Sequence, residues 1–410
     1  MNISAIICEY NPLHQGHKYQ IEKTKEITKC DGLVALMSGN FVQRGEPAIV
    51  DKWKRTQMAL NNGVDLVIEL PSLYALSSAE FFAHGAISIL HNMSVITSLC
   101  FGSECGNISP LMNIANILVK EPETYKKILK EYLQLGLPFP KARSIALTEF
   151  IKNSNMDIND FNYEDILATS NNILGIEYCK SLIRNKSSVI PYTITRLGSH
   201  YNEEKICENY SSATAIRKHL KEEKSLDIIK NQLPQSSFDV IMQLIKENYE
   251  FCFSSKMFKY IKYKCLTEGP ESFLNLKDVK EGIHHRIYKF INTAQSLEEL
   301  IQNIKTKRYT YSRISRLLTQ YFIGFEKFDV DNLLKRDCSY IRVLGLNNKG
   351  AEILKLIKKK SNLNIISKLN KNINDPLLEL DILSTAAYSI INEAINYNQD
   401  FINSPIYLNS

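Results

Sequence analysis

The sequence predicts an α/β protein with a parallel sheet on its amino-terminal side and a mainly helical domain behind it. Three observations carry this. Through the first hundred residues short apolar runs alternate with amphipathic stretches, and strands spaced by helices of that length form right-handed βαβ units. Each notable loop, at residues 9–16, 38–47 and 102–105, follows an apolar run, where open parallel sheets keep their ligands. Beyond about residue 221 the chain turns rich in Lys, Ile, Leu and Tyr with helical periodicity and few strand signals.

In order, Ile3–Cys8, 33–37, Leu66–Leu70 and 98–101 read as buried strands, each bounded by Gly, Pro, Asn or Asp. Between them lie helical patterns at 17–28, at 51–61 with Asp51 as N-cap, and at 79–90. Residues 108–161 read as a helical insertion, interrupted at Leu137-Pro138-Phe139-Pro140. A helix follows at 173–184, and 189–196 (VIPYTITR) alternates like another strand. Residues 210–218 lead into a helix ending in a Lys/Glu-rich stretch at 221–224. A boundary there divides the chain into 1–220 and 221–410. Near the end, 340–344 (YIRVL), followed by Gly345, reads as a short strand.

Composition bounds the function. The 410 residues, 44% hydrophobic and 23% charged, suffice for more than one core. A net charge of +6 permits an anionic partner without demanding one. Nine cysteines without C-x-x-C spacing argue against a disulfide framework and a zinc site, and for a reducing compartment. No apolar run approaches the length of a membrane span, and the start lacks the basic region of a signal peptide. A cytoplasmic protein is expected, and no metal ligand set is assigned.

The chemistry concentrates in two short motifs. After the first strand stands His14-x-Gly16-His17. A glycine at a strand-to-helix junction lets a phosphate approach the backbone, and the helix offers free N–H groups and its positive dipole end. Two imidazoles can donate hydrogen bonds to oxygens that gain charge when the α-phosphorus is attacked. The second motif is Tyr210-Ser211-Ser212-Ala213-Thr214-Ala215-Ile216-Arg217-Lys218. Its hydroxyls can cap a helix start or hold phosphate oxygens, with Arg217 or Lys218 supplying charge.

Together the two motifs resemble the HIGH-type nucleotidyltransferase superfamily, whose Rossmann-like members direct attack at the α-phosphate of ATP. MSGNFVQRGEPAI at 37–49, DKWKR at 51–55, DLVIELP at 65–71, FGSE at 101–104, SNNILGIEY at 170–178 and KTKRYTYSR at 305–313 narrow the resemblance to the tRNA(Met) cytidine acetate ligase family. Leu13 and Gln15 depart from it, where Phe and Asn are commoner.

The resemblance implies a two-step ligase. Acetate and ATP give acetyl-adenylate, and the acetyl group then passes to N4 of the wobble cytidine of elongator tRNA(Met). It implies catalytic roles for His14, His17 and Arg217, which would bind the triphosphate and stabilise charge by positioning. It implies ATP contacts from Ile7, Cys8, Glu9, Tyr10, Asn11, Pro12, Leu13, His14, Gln15, Gly16, His17, Lys18, Tyr19 and Gln20. Gly102, Asn171 or Asn172, Arg196, Ser212 and Thr214 complete that set. ATP is expected with Mg²⁺, which Glu9 or Glu104, each following a strand, could hold. The loop 38–47 could close over the acyl site.

For RNA the sharpest stretch is 305–316. Lys305, Lys307, Arg308, Arg313 and Arg316, interleaved with Tyr309 and Tyr311, suit phosphate contacts and base stacking. Lys355, Lys358, Lys359 and Lys360 read as a solvated helix face, and His284-His285-Arg286 as a basic surface or a helix end. Two other readings compete: an adenylyltransferase for a small phosphate ester, and a non-catalytic tRNA-binding protein. The long carboxy-terminal half argues against the first, and intact His14, His17 and Arg217 against the second.

Overall fold

A computed structural model describes residues 1–137, 139–154, 161–196, 211–222, 226–370 and 373–409. Tyr210 of the second motif and Glu223 and Lys224 of the boundary lie outside the described residues, as does part of the helical insertion.

Six strands build the sheet's parallel part and its edge: β1 (Ile3–Cys8), β2 (Gly32–Ser38), β5 (Leu66–Leu70), β6 (Ser98–Ser103), β7 (Ile190–Thr195) and β8 (Tyr340–Asn347). A short hairpin, β3 (Phe41–Val42) with β4 (Glu46–Pro47), stands apart, while β9 (Asn364–Ile366) and β10 (Ile406–Leu408) add to β8. The main order is β10-β8-β5-β2-β1-β6-β7. Strands β1, β2 and β5 are buried along their whole length, as expected of strands covered on both faces. Among the described residues no helix is long and apolar enough to cross a membrane, and the eight cysteines are free thiols.

The strand order decides where a ligand can bind. From β1 the chain winds outward to β2 and β5, then returns to β6 on the other side and continues to β7. Between β1 and β6 only Ser4–Ser98 and Ala5–Leu99 pair. Beyond them the two strands diverge toward their carboxyl ends, and this reversal of winding opens a crevice. Helix α1 (Gln15–Thr28) begins over it.

The sheet extends past the boundary expected near 221. Strand β8 pairs antiparallel with β5, and β10 lies parallel to β8. A buried ion network fixes this junction. Lys52 of helix α2 (Lys52–Asn61) contacts Glu69 of β5 at 2.7 Å and Asp400 at 2.8 Å, and Arg342 of β8 contacts Asp400 at 2.9 Å. Two cations facing two carboxylates leave the cluster neutral, the arrangement that buried charges require. DKWKR and DLVIELP thus serve the fold: Lys52 and Glu69 bind the sheet to its late-arriving strand.

Candidate active site

The amino terminus of α1 is built by its two histidines. His14 is the N-cap, and its Nδ1 accepts the Gly16 N–H at 3.0 Å. His17, three residues on, accepts the His14 N–H on its own Nδ1 at 3.3 Å. This is a capping box made of imidazoles. With its Nδ1 accepting, the neutral His14 ring carries its proton on Nε2, the group left for a ligand; His17 is held in addition by a hydrogen bond to the Pro12 backbone. The rings lie 3.8 Å apart, centroid to centroid. Burial lowers the His14 pKa to about 3, helped by the nearby Arg196 and Arg217 charges. Burial also holds His17 well below the ordinary histidine range, with His14 and Arg196 adding to it. Both rings are neutral at pH 7. Gly16 has a reason beyond phosphate approach: a Cβ there would stand 2.9 Å from His14 Cε1.

Facing them is the helix Ala213–Lys221, capped by Ser212, whose Oγ accepts the Ala215 N–H at 3.1 Å. Arg217 reaches back across the crevice and donates to the Asn11 carbonyl at 3.0 Å and to Thr214 Oγ1 at 3.3 Å. A third wall comes from β6 and β7. The stem of Arg196 packs over Gly102, where a Cβ would meet Arg196 Cγ at 3.0 Å. Arg196 also donates to Asn171 Oδ1 at 3.4 Å.

The roof is the β3–β4 hairpin. The Gln43 N–H donates to Glu9 Oε1 at 2.7 Å, and the fully buried Arg55 donates to the carbonyls of Glu9 at 2.6 Å and Ser38 at 3.0 Å, and to Gly39 O. Arg55, from DKWKR, therefore pins the loops after β1 and β2 to each other.

Two adjoining cavities share His14, His17, Arg196 and Ser212. Gly16, Tyr19, Gln20 and Gly102 line one; Glu9, Tyr10, Asn11, Thr214 and Arg217 line the other. The remaining expected contacts lie elsewhere. Ile7, Cys8 and Leu13 are buried in the core. Gln15 docks α1 onto a later segment, donating from Nε2 to Leu233 O at 3.1 Å and from N–H to Gln232 O at 2.9 Å. Lys18 pairs with Glu22 on the helix surface, and Pro12 lines neither cavity. Asn172 is buried, its Oδ1 taken by the N–H groups of Glu104 and Cys105. Sequence reasoning missed Val42, Arg44 and Ala213, which complete the second cavity. For Arg44 the hairpin loop itself was the available signal.

Among the described residues, Glu104 is not free to hold a metal ion. Glu104 uses both carboxylate oxygens on Asn171 and Asn172 at the start of the helix Ser170–Arg184. Among the described residues, Glu9 is the one carboxylate lining the second cavity; burial raises its pKa, against the pull of the Gln43 N–H and of Arg217, Arg44 and Arg55. Mg²⁺ is usually held by one or two carboxylates together with substrate phosphates, so Glu9 is the described side chain that would contact an ion carried in with the phosphates.

Crevice, a neutral imidazole donor and a facing arginine make a site for an anionic phosphate ester. Comparison with known proteins agrees. A family model described as HIGH Nucleotidyl Transferase matches residues 1–401. The tRNA(Met) cytidine acetate ligase of Clostridium novyi (strain NT) is 54% identical, covering 100% of both chains. That of Clostridium tetani (strain Massachusetts / E88) is 48% identical over 99% of this chain and 100% of its own.

This chain belongs to the tRNA(Met) cytidine acetate ligase family.

The crystal structure of Thermotoga maritima TmcAL (apo, form I) matches with a TM-score of 0.90 at 33% identity, and the form bound with alpha-thio ATP with 0.89 at 33%, each covering 100% of both chains. Against this family background the segment at 305–316 needs correction. Tyr309 is no stacking platform: it is buried, and its hydroxyl donates to Lys280 O at 2.6 Å. Arg316 is mostly enclosed, its Nη1 directed at Gln43 O at 3.4 Å, and burial lowers its pKa. Arg313 pairs with Asp278 at 3.1 Å and Tyr311 donates to Glu298 at 2.5 Å. Only Lys305, Lys307 and Arg308 of this set are exposed. The cause is packing of the helix Tyr311–Ile323 on the hairpin: Ser315 and Thr319 donate to Gly45 O at 2.8 and 2.7 Å. Arg286 is exposed within the helix Ile283–Ile291 and donates to the carbonyls of Ile304 and Asn303 at the end of the helix Leu297–Ile304. Lys355, Lys358, Lys359 and Lys360 lie exposed on the helix Asn348–Lys360.

Proposed function

We propose that this chain activates acetate with ATP and transfers the acetyl group to N4 of the wobble cytidine of elongator tRNA(Met), giving N4-acetylcytidine. The observation that carries the reading is the reciprocal histidine cap facing Arg217 across the crevice. In the first step an acetate oxygen attacks the α-phosphorus and pyrophosphate leaves. The His14 Nε2–H group donates to a phosphoryl oxygen that gains charge, His17 lies against it, and Arg217 holds the phosphates. Each ring is oriented by its Nδ1 bond before ligand arrives, so little reorganisation is spent during reaction. Their depressed pKa values keep them uncharged, and catalysis is positional.

The second cavity suits the phosphates and acyl group; the first, with Gly16, Tyr19, Gln20 and Gly102, suits the nucleoside. The activating unit comprises residues 1–220 together with β8, β9 and β10, which the carboxy-terminal half adds to its sheet. The mainly helical segment before β8 is the tRNA-binding unit, with Lys305, Lys307 and Arg308 as exposed phosphate contacts. The test is direct: incubate the protein with ATP, labelled acetate and an elongator tRNA(Met) transcript, and digest the RNA. Label in N4-acetylcytidine is expected. AMP joined to a small acceptor, with no label in RNA, would refute the reading.

A further inference from the structure

We propose that the acceptor cytosine enters the cleft on the other side of Arg217, and that the Glu46 carboxylate takes the hydrogen bond and then the proton of its N4 amine. The inference rests on the ligase reading above. The cleft measures about 500 Å³, within the range of pockets that enclose small molecules. Thr214 and Arg217 line both it and the cavity that holds the histidines, so the two spaces meet at these side chains. Glu46 of β4 stands at that meeting, with Oε2 3.5 Å from Arg217 Nη2 and its side chain 25% exposed.

A carboxylate is the acceptor that matches the N4–H₂ donor of cytosine. Glu222 also lines the cleft, but it lies five residues beyond Arg217, about 7.5 Å along a helix axis, and is too far along to serve the same atom. The rest of the lining suits a splayed-out nucleotide. Phe253 is half-buried, and Lys221 Nζ lies 5.9 Å from its ring centre. A base can stack on that ring while Lys221 and Lys218 reach flanking phosphates.

In the transfer step the N4 lone pair attacks the carbonyl carbon of acetyl-adenylate. The N4–C bond forms, the C–O bond to the phosphate breaks, and AMP leaves with that electron pair. The N4 proton passes to Glu46 and from there to solvent. Arg217, 3.5 Å from Glu46, holds the departing phosphate.

The experiment separates the half-reactions. Acetate-dependent ATP–pyrophosphate exchange reads the first, and single-turnover transfer of labelled acetyl from enzyme-bound acetyl-adenylate to a tRNA(Met) anticodon stem-loop reads the second. Glu46→Gln is expected to lower the ratio of transfer to exchange by about 10²-fold and to flatten the acid limb of the transfer pH profile. Phe253→Ala is expected to raise the KM for RNA about tenfold, with Phe253→Trp restoring it; Lys221→Glu gives an independent rise in KM. Equal losses of exchange and transfer in Glu46→Gln would make Glu46 a mere partner of Arg217 and overturn the proposal. Unchanged KM values in the Phe253 and Lys221 variants would move the base elsewhere. Failure of the unmodified protein to label RNA would instead sink the ligase reading itself.

Discussion

His14 and His17 cap the same helix end for each other: the Gly16 N–H donates to His14 Nδ1 at 3.0 Å, and the His14 N–H donates to His17 Nδ1 at 3.3 Å. One side of the His14 ring holds the fold and the other faces the cavity, so substitutions must be chosen to separate the two.

Asparagine is a good N-cap but cannot place a donor where His14 Nε2 stands. His14→Asn should keep its helix and lose acetate-dependent pyrophosphate exchange by about 10²-fold or more, the effect of removing one transition-state donor. Filter binding of tRNA should change little. If exchange survives at near the original rate, the histidine is structural.

The same rings make stability depend on pH. Unfolded histidine takes up a proton near about 6.5, whereas folded His14 resists until about 3, and His17 is shifted the same way. The unfolded state therefore binds more protons as pH falls. The stability these neutral rings contribute is complete above the unfolded value and is lost on going below it, by up to about 1.4 kcal/mol per pH unit per ring. Urea unfolding from pH 7 to pH 5 should show a shallower loss in His14→Asn than in the parent.

Lys52→Met should destabilise the fold by about 3–5 kcal/mol, because Glu69 and Asp400 remain buried with one of their two cations gone. The loss should appear in chemical denaturation and should include β8 and β10, tracked by hydrogen exchange. A shift under about 1 kcal/mol would mean that the cluster neutralises itself by protonation.

Gly45 turns the hairpin with φ of 78°, and a Cβ there would run into the backbone of Ser315 and Arg316. Gly45→Ala should push the hairpin off the helix Tyr311–Ile323, taking Arg44 and Glu46 with it. Exchange and acetyl transfer should both fall, measured as kcat, while the salt dependence of tRNA binding stays the same.

The exposed cations should behave otherwise. Replacing Lys305, Lys307 and Arg308 together by Ala should weaken tRNA binding and reduce the slope of log K against log[salt] by about two. Tyr309→Phe should lower the melting temperature by removing a buried hydroxyl's hydrogen bond, at a cost of about 1 kcal/mol, and leave the slope alone. An unchanged slope in the triple variant would place the RNA surface elsewhere.

The sequence by itself determined the parallel strands, the loops at their carboxyl ends and the two motifs that meet at the crevice. These follow from spacing among near neighbours: strand β1 spans Ile3–Cys8 as its apolar run does, and β5 spans Leu66–Leu70. Strand β8 at Tyr340–Asn347 was legible too, but its antiparallel place beside β5 was not, because pairing partners so distant in sequence leave no local trace. Tertiary structure alone decided which of the interleaved cations and tyrosines at 305–316 face solvent. The side of that helix to be covered is chosen by Gly45, 270 residues earlier than Ser315, and a helix pattern shows a face without naming what covers it. Tertiary structure also decided the roles of Gln15, Glu104 and Asn172. Their side chains were free to meet a nucleotide, and the fold spends them on backbone groups at helix ends and loops that would otherwise lie buried without partners.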